Sequence, residues 1–344
     1  MKRILNTLYI TNPDIYLSLD GENVIISENR EVINRIPLHN LQEIVSFGQN
    51  GATPALMGKC ASEGISLTFM DRNGRFLCRM QGEINGNVLL RRQQYRIADN
   101  SEDSLKIARN MIAGKIYNSI GLMNRTARDH ELRIDSKQFS DKTDMLCNSL
   151  KNCVTVAGKD SLRGIEGEAA SVYFSVFDDM IFQQKDDFVF SGRNKRPPKD
   201  NVNALLSFSY SLAANMCCSA LEAVGLDPYV GVMHTDRPGR CSLALDLVEE
   251  FRAVMCDRFV LTLINKKMVT GKDFEKRENG SVIMSDNGRR TFLTAWQERK
   301  KKEIRHPFLD EKIEWGMLPY SQALLLARYI RGDIDSYPAF MWRC

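Results

Sequence analysis

Between residues 231 and 252 a histidine, a basic turn and an acidic helix follow one another: His234, then Arg237 and Arg240 around Pro238-Gly239, then Asp246, Glu249 and Glu250. Imidazole and carboxylates are the ligand types of a catalytic divalent metal. Arginines beside them suit a phosphate-bearing substrate. The combination points to metal-assisted phosphodiester chemistry. On a helical wheel of ~100° per residue, Asp246, Glu249, Glu250 and Ala253 share one arc, and Leu247, Val248, Phe251, Val254 and Met255 fill the opposite one. Arg252 falls at the edge of the acidic arc, where it could orient a carboxylate. An amphipathic helix with a solvated acidic face gives the same pattern. His234 shifts the balance, because the chain's other histidines are only His39, His130 and His306 and the Pro238-Gly239 turn can fold His234 back over the start of the helix, which Ser242 can cap.

A further ligand must come from elsewhere. Glu166 is the best candidate. It lies beside a stripe of small residues, Gly164, Gly167, Ala170 and Ser171, where another backbone or a ligand can approach closely. Glycine weakens a helix by ~1 kcal/mol relative to alanine, so two of them call for a reason. Glu168 points about 200° away. Tight helix packing with Glu166 at the rim is the plain alternative. A basic loop with Arg193, Lys195, Arg196 and Lys199 is stiffened by Pro197-Pro198 and leads into a helix carrying Ser207 and Tyr210. Stiffened cations at a helix start suit phosphate, although solvent-facing charge is a real competitor.

The elements that position these groups change character along the chain. Residues 15–19, 24–27 and 32–36 read as short strands separated by turn signals at Asn12-Pro13, Asp20-Gly21 and Asn29. Ser66–Met70 and Phe76–Met80 flank Arg72-Asn73-Gly74, a hairpin signal. Thr53, Pro54 and Gly64 cap, start and end one intervening helix. Ser101 is the expected cap of a long helix reaching about residue 124, with Leu105, Ala108, Ile112, Ile116 and Ile120 at helical spacing. A small β excursion is expected at Val282–Met284. The fold class is α+β with two domains: β-rich residues 1–92 (a sandwich or roll), a linker at 93–102, and a larger, mostly α-helical catalytic domain at 103–344.

Composition bounds the function. With 344 residues, 43% of them apolar, real cores can form. The net charge of +4 makes this no blanket polycation, so any nucleic-acid surface comes from local clusters such as Arg91-Arg92, Arg193 to Lys199, Arg289-Arg290 and Arg299 to Arg305. Nine scattered cysteines without a C-x-x-C pattern argue against structural zinc and a disulfide framework, and favour a reducing cytosol. The N-terminus lacks the apolar run of a signal peptide. Residues 203–226, with Glu222 their one charged side chain, read as a buried core helix rather than a membrane span.

In order, Val88 to Tyr95, Ala113-Gly114-Lys115, Gly164 to Ala170, Arg196 to Ser207, His234 to Arg240 through Glu249 to Arg252, and Tyr320 to Arg328 resemble the CRISPR-associated integrase, the endonuclease family of the spacer-acquisition step. The resemblance spans nearly the whole chain; its length and details are most similar to the form found with type I-C systems. It implies an N-terminal dimerisation domain, a homodimer, and a small CRISPR-associated partner completing a heterohexameric integrase. By motif position it places Mg²⁺ or Mn²⁺ at Glu166, His234 and Glu249. Asp246 stands where some relatives carry a second acid, and Ala253 replaces a proline that often follows. It further implies that a 3′-hydroxyl of a captured prespacer fragment attacks a phosphodiester of the CRISPR repeat. His234 and Asp246 are candidates for moving protons, and Arg193, Lys195, Arg196, Lys199, Tyr210, Arg237, Arg240 and Arg252 for contacting DNA. A prokaryotic cytoplasm is expected, with no membrane partner. Three alternatives remain open: a stand-alone metal-dependent nuclease for branched or single-stranded DNA, a non-catalytic DNA scaffold, and a metal hydrolase of small phosphoesters.

Overall fold

Turn signals and short apolar runs divide the first part of the chain into two small sheets. The computed structural model describes residues 7–48, 50–71, 76–80, 82, 88–194 and 197–342. Strands β1 (Thr7–Ile10), β2 (Ile15–Asp20), β3 (Asn23–Glu28), β4 (Glu31–Pro37) and β5 (Glu43–Ser46) precede helix α1 (Pro54–Glu63), which β6 (Ser66–Met70) and β7 (Phe76–Met80) follow. β2, β3 and β4 form an antiparallel sheet. Its second turn uses positive φ at Asn29 and Arg30 (49° and 71°), the backbone of a tight hairpin. The other sheet has the order β1-β5-β6-β7, parallel except for the β6–β7 pair. The turn expected at Arg72-Asn73-Gly74 lies outside the described residues, but its flanking strands pair antiparallel, Leu67 opposite Met80. α1 begins and ends as its sequence dictates: Thr53 Oγ1 accepts from Leu56 N at 3.2 Å, and Gly64 closes it at φ 68°.

Strand alternation divides the β5 side chains between two cores. Ile44 joins Leu17, Val24, Leu56 and Leu67 between the sheets and α1. Its neighbour Val45, with Phe47 and Met70, faces a larger core that continues through the helices as far as Phe340.

The segment joining the β-rich part to the helices is itself helical. α2 (Val88–Asp99) occupies most of the expected linker and breaks at one residue, Asn100, before α3 (Ser101–Asp129). Asn100, not Ser101, is the cap: its Oδ1 accepts from Glu102 N and Asp103 N at 2.9 and 3.1 Å. Buried Gln94 fastens α2 to the loop after residue 226, donating to Asp227 O at 2.7 Å and accepting from Asp227 N at 2.9 Å.

α3 is the central pillar, packed by α4 (Ser136–Thr155), α5 (Lys159–Ser175) and α7 (Ser242–Glu249). α6 (Asn201–Ala223) is long and apolar enough to cross a bilayer, but 67% of its most apolar window is buried inside the protein, as a core helix requires. After α7, residues Arg252–Asp257 form a π-helical turn that leads into α8 (Arg258–Asn265). The expected β excursion pairs β8 (Phe274–Lys276) with β9 (Val282–Met284). α9 (Asp286–Lys300), the hairpin β10 (Glu303–Arg305) and β11 (Lys312–Glu314), and α10 (Leu318–Arg331) complete the fold.

Candidate active site

The turn before α7 is held by one buried carboxylate. Asp246 Oδ2 accepts from Val232 N and Met233 N at 2.7 and 3.0 Å, and Oδ1 accepts from His234 N at 3.0 Å. Oδ1 also lies 2.6 Å from His234 Nδ1. A neutral imidazole so held donates from Nδ1 and keeps the Nε2 lone pair for a ligand. Gly231 is required here: a Cβ would lie 2.7 Å from His234 O and 2.9 Å from Asp246 Oδ2. Gly239 turns the chain at φ 72°. The cap of α7 is Cys241; Ser242 Oγ donates instead to Thr235 O at 3.2 Å, tying the helix start to the turn. Asp246 is 1% exposed and sits behind the imidazole, so its contacts are those of a group that positions His234.

The acidic arc of α7 is buried, not solvated: Asp246, Glu249 and Glu250 are 1%, 4% and 0% exposed. Their partners differ. Glu249 Oε1 pairs with the Arg252 guanidinium at 2.8 Å, and Oε2 lies 2.8 Å from Lys115 Nζ. Burial alone would push this carboxyl up; Arg252 and Lys115 overcome that and hold it down at about 2. Oε2 nevertheless accepts no well-aligned hydrogen bond among the described residues. Glu250 faces away, accepting from Tyr337 OH at 2.6 Å, Gln322 Nε2 at 2.8 Å and Phe340 N at 2.7 Å.

Glu166 reaches the same place from α5, where it too pairs with Lys115. The small-residue stripe beside it packs against nothing within 4 Å at Gly164 or Gly167, so it leaves open space. Glu168 is exposed, as the wheel requires. A cleft of about 370 Å³ is lined by Glu166, His234, Glu249, Arg237, Arg240 and Arg252, with Arg163 at its wall. Residues from α5, the 231–241 turn and α7 thus meet at one opening. Among the described residues no three acidic, histidine or cysteine side chains already converge as a metal would hold them; Lys115 stands between the two glutamates.

The basic loop divides. Arg193 is turned inward, donating to Asn203 Oδ1, to Asn194 O at 2.9 Å and to Ser207 Oγ at 3.3 Å. Its guanidinium lies 5.0 Å from the Tyr210 ring centroid, and Arg252 lies 4.9 Å from the same ring. Tyr210 OH donates to Asp257 at 2.5 Å and Tyr173 OH to the other oxygen at 3.0 Å. Arg193 and Tyr210 thus pack beside Arg252, both half-buried, with their polar groups engaged by other protein groups. Lys199 is exposed, and Lys195 and Arg196 lie outside the described residues.

Residues 8–298 match the family model described as CRISPR associated protein Cas1. The chain belongs to the Cas1 family. A protein of Chlorobaculum tepidum named CRISPR-associated endonuclease Cas1 1 is 50% identical over 343 residues, with the whole of both chains covered. A Rhodospirillum rubrum protein named CRISPR-associated endonuclease Cas1 2 is 46% identical over 347 residues, again covering both chains fully. Among solved structures, a casposase bound to its integration product superposes with a TM-score of 0.83 at 23% identity, covering 98% of this chain and 94% of that one. The Cas1 protein of Thermotoga maritima gives 0.81 at 21%, covering 95% and 97%. The β-rich start followed by a mostly helical remainder is thus the fold of Cas1 proteins.

Three contributors to this Cas1 site escaped the sequence. Lys115 sits on the shoulder of the apolar stripe of α3, between Ile112 and Ile116; a cation there was the available signal. Arg163, one turn before Glu166, donates to Met233 O at 3.2 Å. Asp257 has no signal in the sequence, because the π turn that aims it at the tyrosines breaks the wheel.

Proposed function

We propose that this Cas1 protein is a divalent-metal-dependent DNA endonuclease and integrase that inserts captured DNA fragments as new spacers into a CRISPR repeat array. The observation that carries this function is the single cleft shared by Glu166, His234 and Glu249 with Arg237 and Arg240. Family membership, and the endonuclease names of relatives covered over their full length, support it.

The residues fit a metal. Two carboxylates and an imidazole form a donor set suited to Mg²⁺ or Mn²⁺, with Glu249 Oε2, which Lys115 Nζ contacts at 2.8 Å, among the candidate ligand atoms. Once bound, the ion would polarise the scissile phosphate and stabilise the charge that develops on it. Asp246 fixes the tautomer and direction of His234. Arg252 holds Glu249 ionised, and the Tyr210 ring beneath Arg252 holds that guanidinium in turn. Arg237 and Arg240 seat the phosphodiester, and Lys199 extends the basic path. The 3′-hydroxyl of the fragment forms a new bond to phosphorus as the repeat strand's own 3′-oxygen leaves with the proton balance restored by solvent. One phosphodiester replaces another, so no nucleotide cofactor is required. Water in place of the hydroxyl gives hydrolysis.

The protein acts as a homodimer, with a small CRISPR-associated partner completing a heterohexamer, in a prokaryotic cytoplasm. Exposed apolar side chains on the β-rich part, Val32, Ile33 and Leu77 at 52%, 54% and 57%, support a pairing surface there. The test is joining of a short duplex to a repeat-containing plasmid, with and without the partner. Glu166→Ala is expected to abolish cleavage and joining while DNA binding persists. Cleavage of branched DNA without joining under every condition would leave the stand-alone nuclease instead.

A further inference from the structure

We propose that Lys115 is a built-in competitor of the metal: its ammonium holds Glu166 and Glu249 together in the metal-free protein and must leave before a divalent ion can bind both. This deepens the metal-dependent function proposed above. The ammonium touches a carboxylate oxygen of each glutamate, across two different helices. The three side chains are 13%, 28% and 6% exposed, so solvent screens them little. Without a cation between them, two carboxylates so confined repel each other.

Occupancy is exclusive. An ammonium in contact with both glutamates takes the space and the lone pairs that a divalent ion needs, and two cations a few ångströms apart repel in a partly dry site. Lysine suits such a part because it is a point charge on a flexible four-carbon stem. The displaced group has a second position within reach. Lys115 also lines a cavity of about 20 Å³ with Ser119, Tyr173, Tyr210 and Asp257, room for one water-sized group. Arg252 remains on Glu249 in either state, so Lys115 is the cation that exchanges. Metal affinity is then set partly by the cost of expelling a residue that lies on neither the histidine turn nor the acidic helix.

Mn²⁺ titration calorimetry of the full-length, DNA-free protein tests this, with thermal melts in chelator and in Mn²⁺ as a second readout. Lys115→Met keeps the bulk and removes the charge. It is expected to tighten Mn²⁺ binding by roughly tenfold or more, where each factor of ten corresponds to about 1.4 kcal/mol, to lower the melting temperature in chelator, and to enlarge the rise that Mn²⁺ produces. Lys115→Arg, which keeps the charge on a planar head that retracts poorly, is expected to weaken Mn²⁺ binding and covers the case in which the methionine variant fails to fold. Glu166→Ala separates the failures. If wild type and Glu166→Ala bind Mn²⁺ alike, no metal is held at Glu166, and the function proposed above and the competitor role both fall. If Mn²⁺ binding depends on Glu166 but neither lysine variant shifts it as stated, the metal site stands and the competitor role is overturned.

Discussion

Glu249 and Glu250 are neighbours in the chain, equally removed from water, and opposite in chemistry. Glu249 is bracketed by Lys115 and Arg252, stays ionised with its carboxyl at about 2, and keeps one oxygen without an aligned donor. Glu250 meets only neutral donors, from Phe340, Tyr337 and Gln322, and burial pushes its carboxyl up to about 7 against their pull. Burial is common to both, so the charge of the partners decides the outcome. One carboxylate is held in reserve for a ligand. The other clasps the segment after α10 onto the helical core.

Substitutions can break the comparison. The largest effect is expected from Glu249→Gln, which keeps shape and removes charge: strand joining and cleavage should fall by roughly 10²–10³-fold with DNA binding retained, as read in plasmid-joining and gel-shift assays. A variant that joins DNA normally would place Glu249 with Glu250 as a structural group. Glu250→Ala should instead cost stability, about 3 kcal/mol in urea unfolding, because it strands the buried donors of Gln322, Tyr337 and Phe340.

Asp257 is an intermediate case that sharpens the contrast. Burial raises its carboxyl to about 6, while the tyrosine hydroxyls and the more distant Arg193 and Arg252 pull it down. Its folded value lies above its unfolded one, so the stability it contributes is complete below about pH 4 and is lost as pH rises through about 6, on the order of 3 kcal/mol. Asp257→Asn should therefore narrow the difference in melting temperature between pH 5 and pH 8. Next, Asp246→Asn should lower metal affinity by roughly 10–100-fold, since it weakens the support of His234 and of the turn that carries it; Mn²⁺ titration reads it. The smallest effect is expected for Arg237→Ala at the exposed rim: weaker DNA binding, with the slope of log affinity against log salt reduced by about 1.

Much of this was legible in the residues. The α1 boundaries followed from Thr53, Pro54 and Gly64, because capping is local chemistry. Residue type and the Pro238-Gly239 turn pointed to His234, to the acidic helix and to Glu166, while the choice of Glu249 within that helix rested on the family resemblance. The helical wheel placed the acidic arc on one face but could not tell a solvated face from a buried one. Once buried, the three acids parted: Asp246 holds the histidine turn, Glu249 faces the cleft and Glu250 clasps the C-terminal segment. Asp246 finds its partners 12 to 14 positions away, but Glu249 meets Lys115 and Glu250 meets Tyr337 from distant parts of the chain, and no local pattern encodes those meetings. Arg193 and Tyr210 read as surface groups for the same reason: their inward partners, Asn203, Arg252 and Asp257, are fixed only by packing.

The π-helical turn at Arg252–Asp257 constrains the length of the polypeptide at this point. Wound as regular α-helix with the same number of residues, it would turn everything downstream by about 100° relative to what precedes it. Arg252 could then stay against Glu249, or Asp257 against its two tyrosines, but not both. Local regularity and correct aim are therefore opposed here, and the spacing between these two side chains is as tightly specified as their identities.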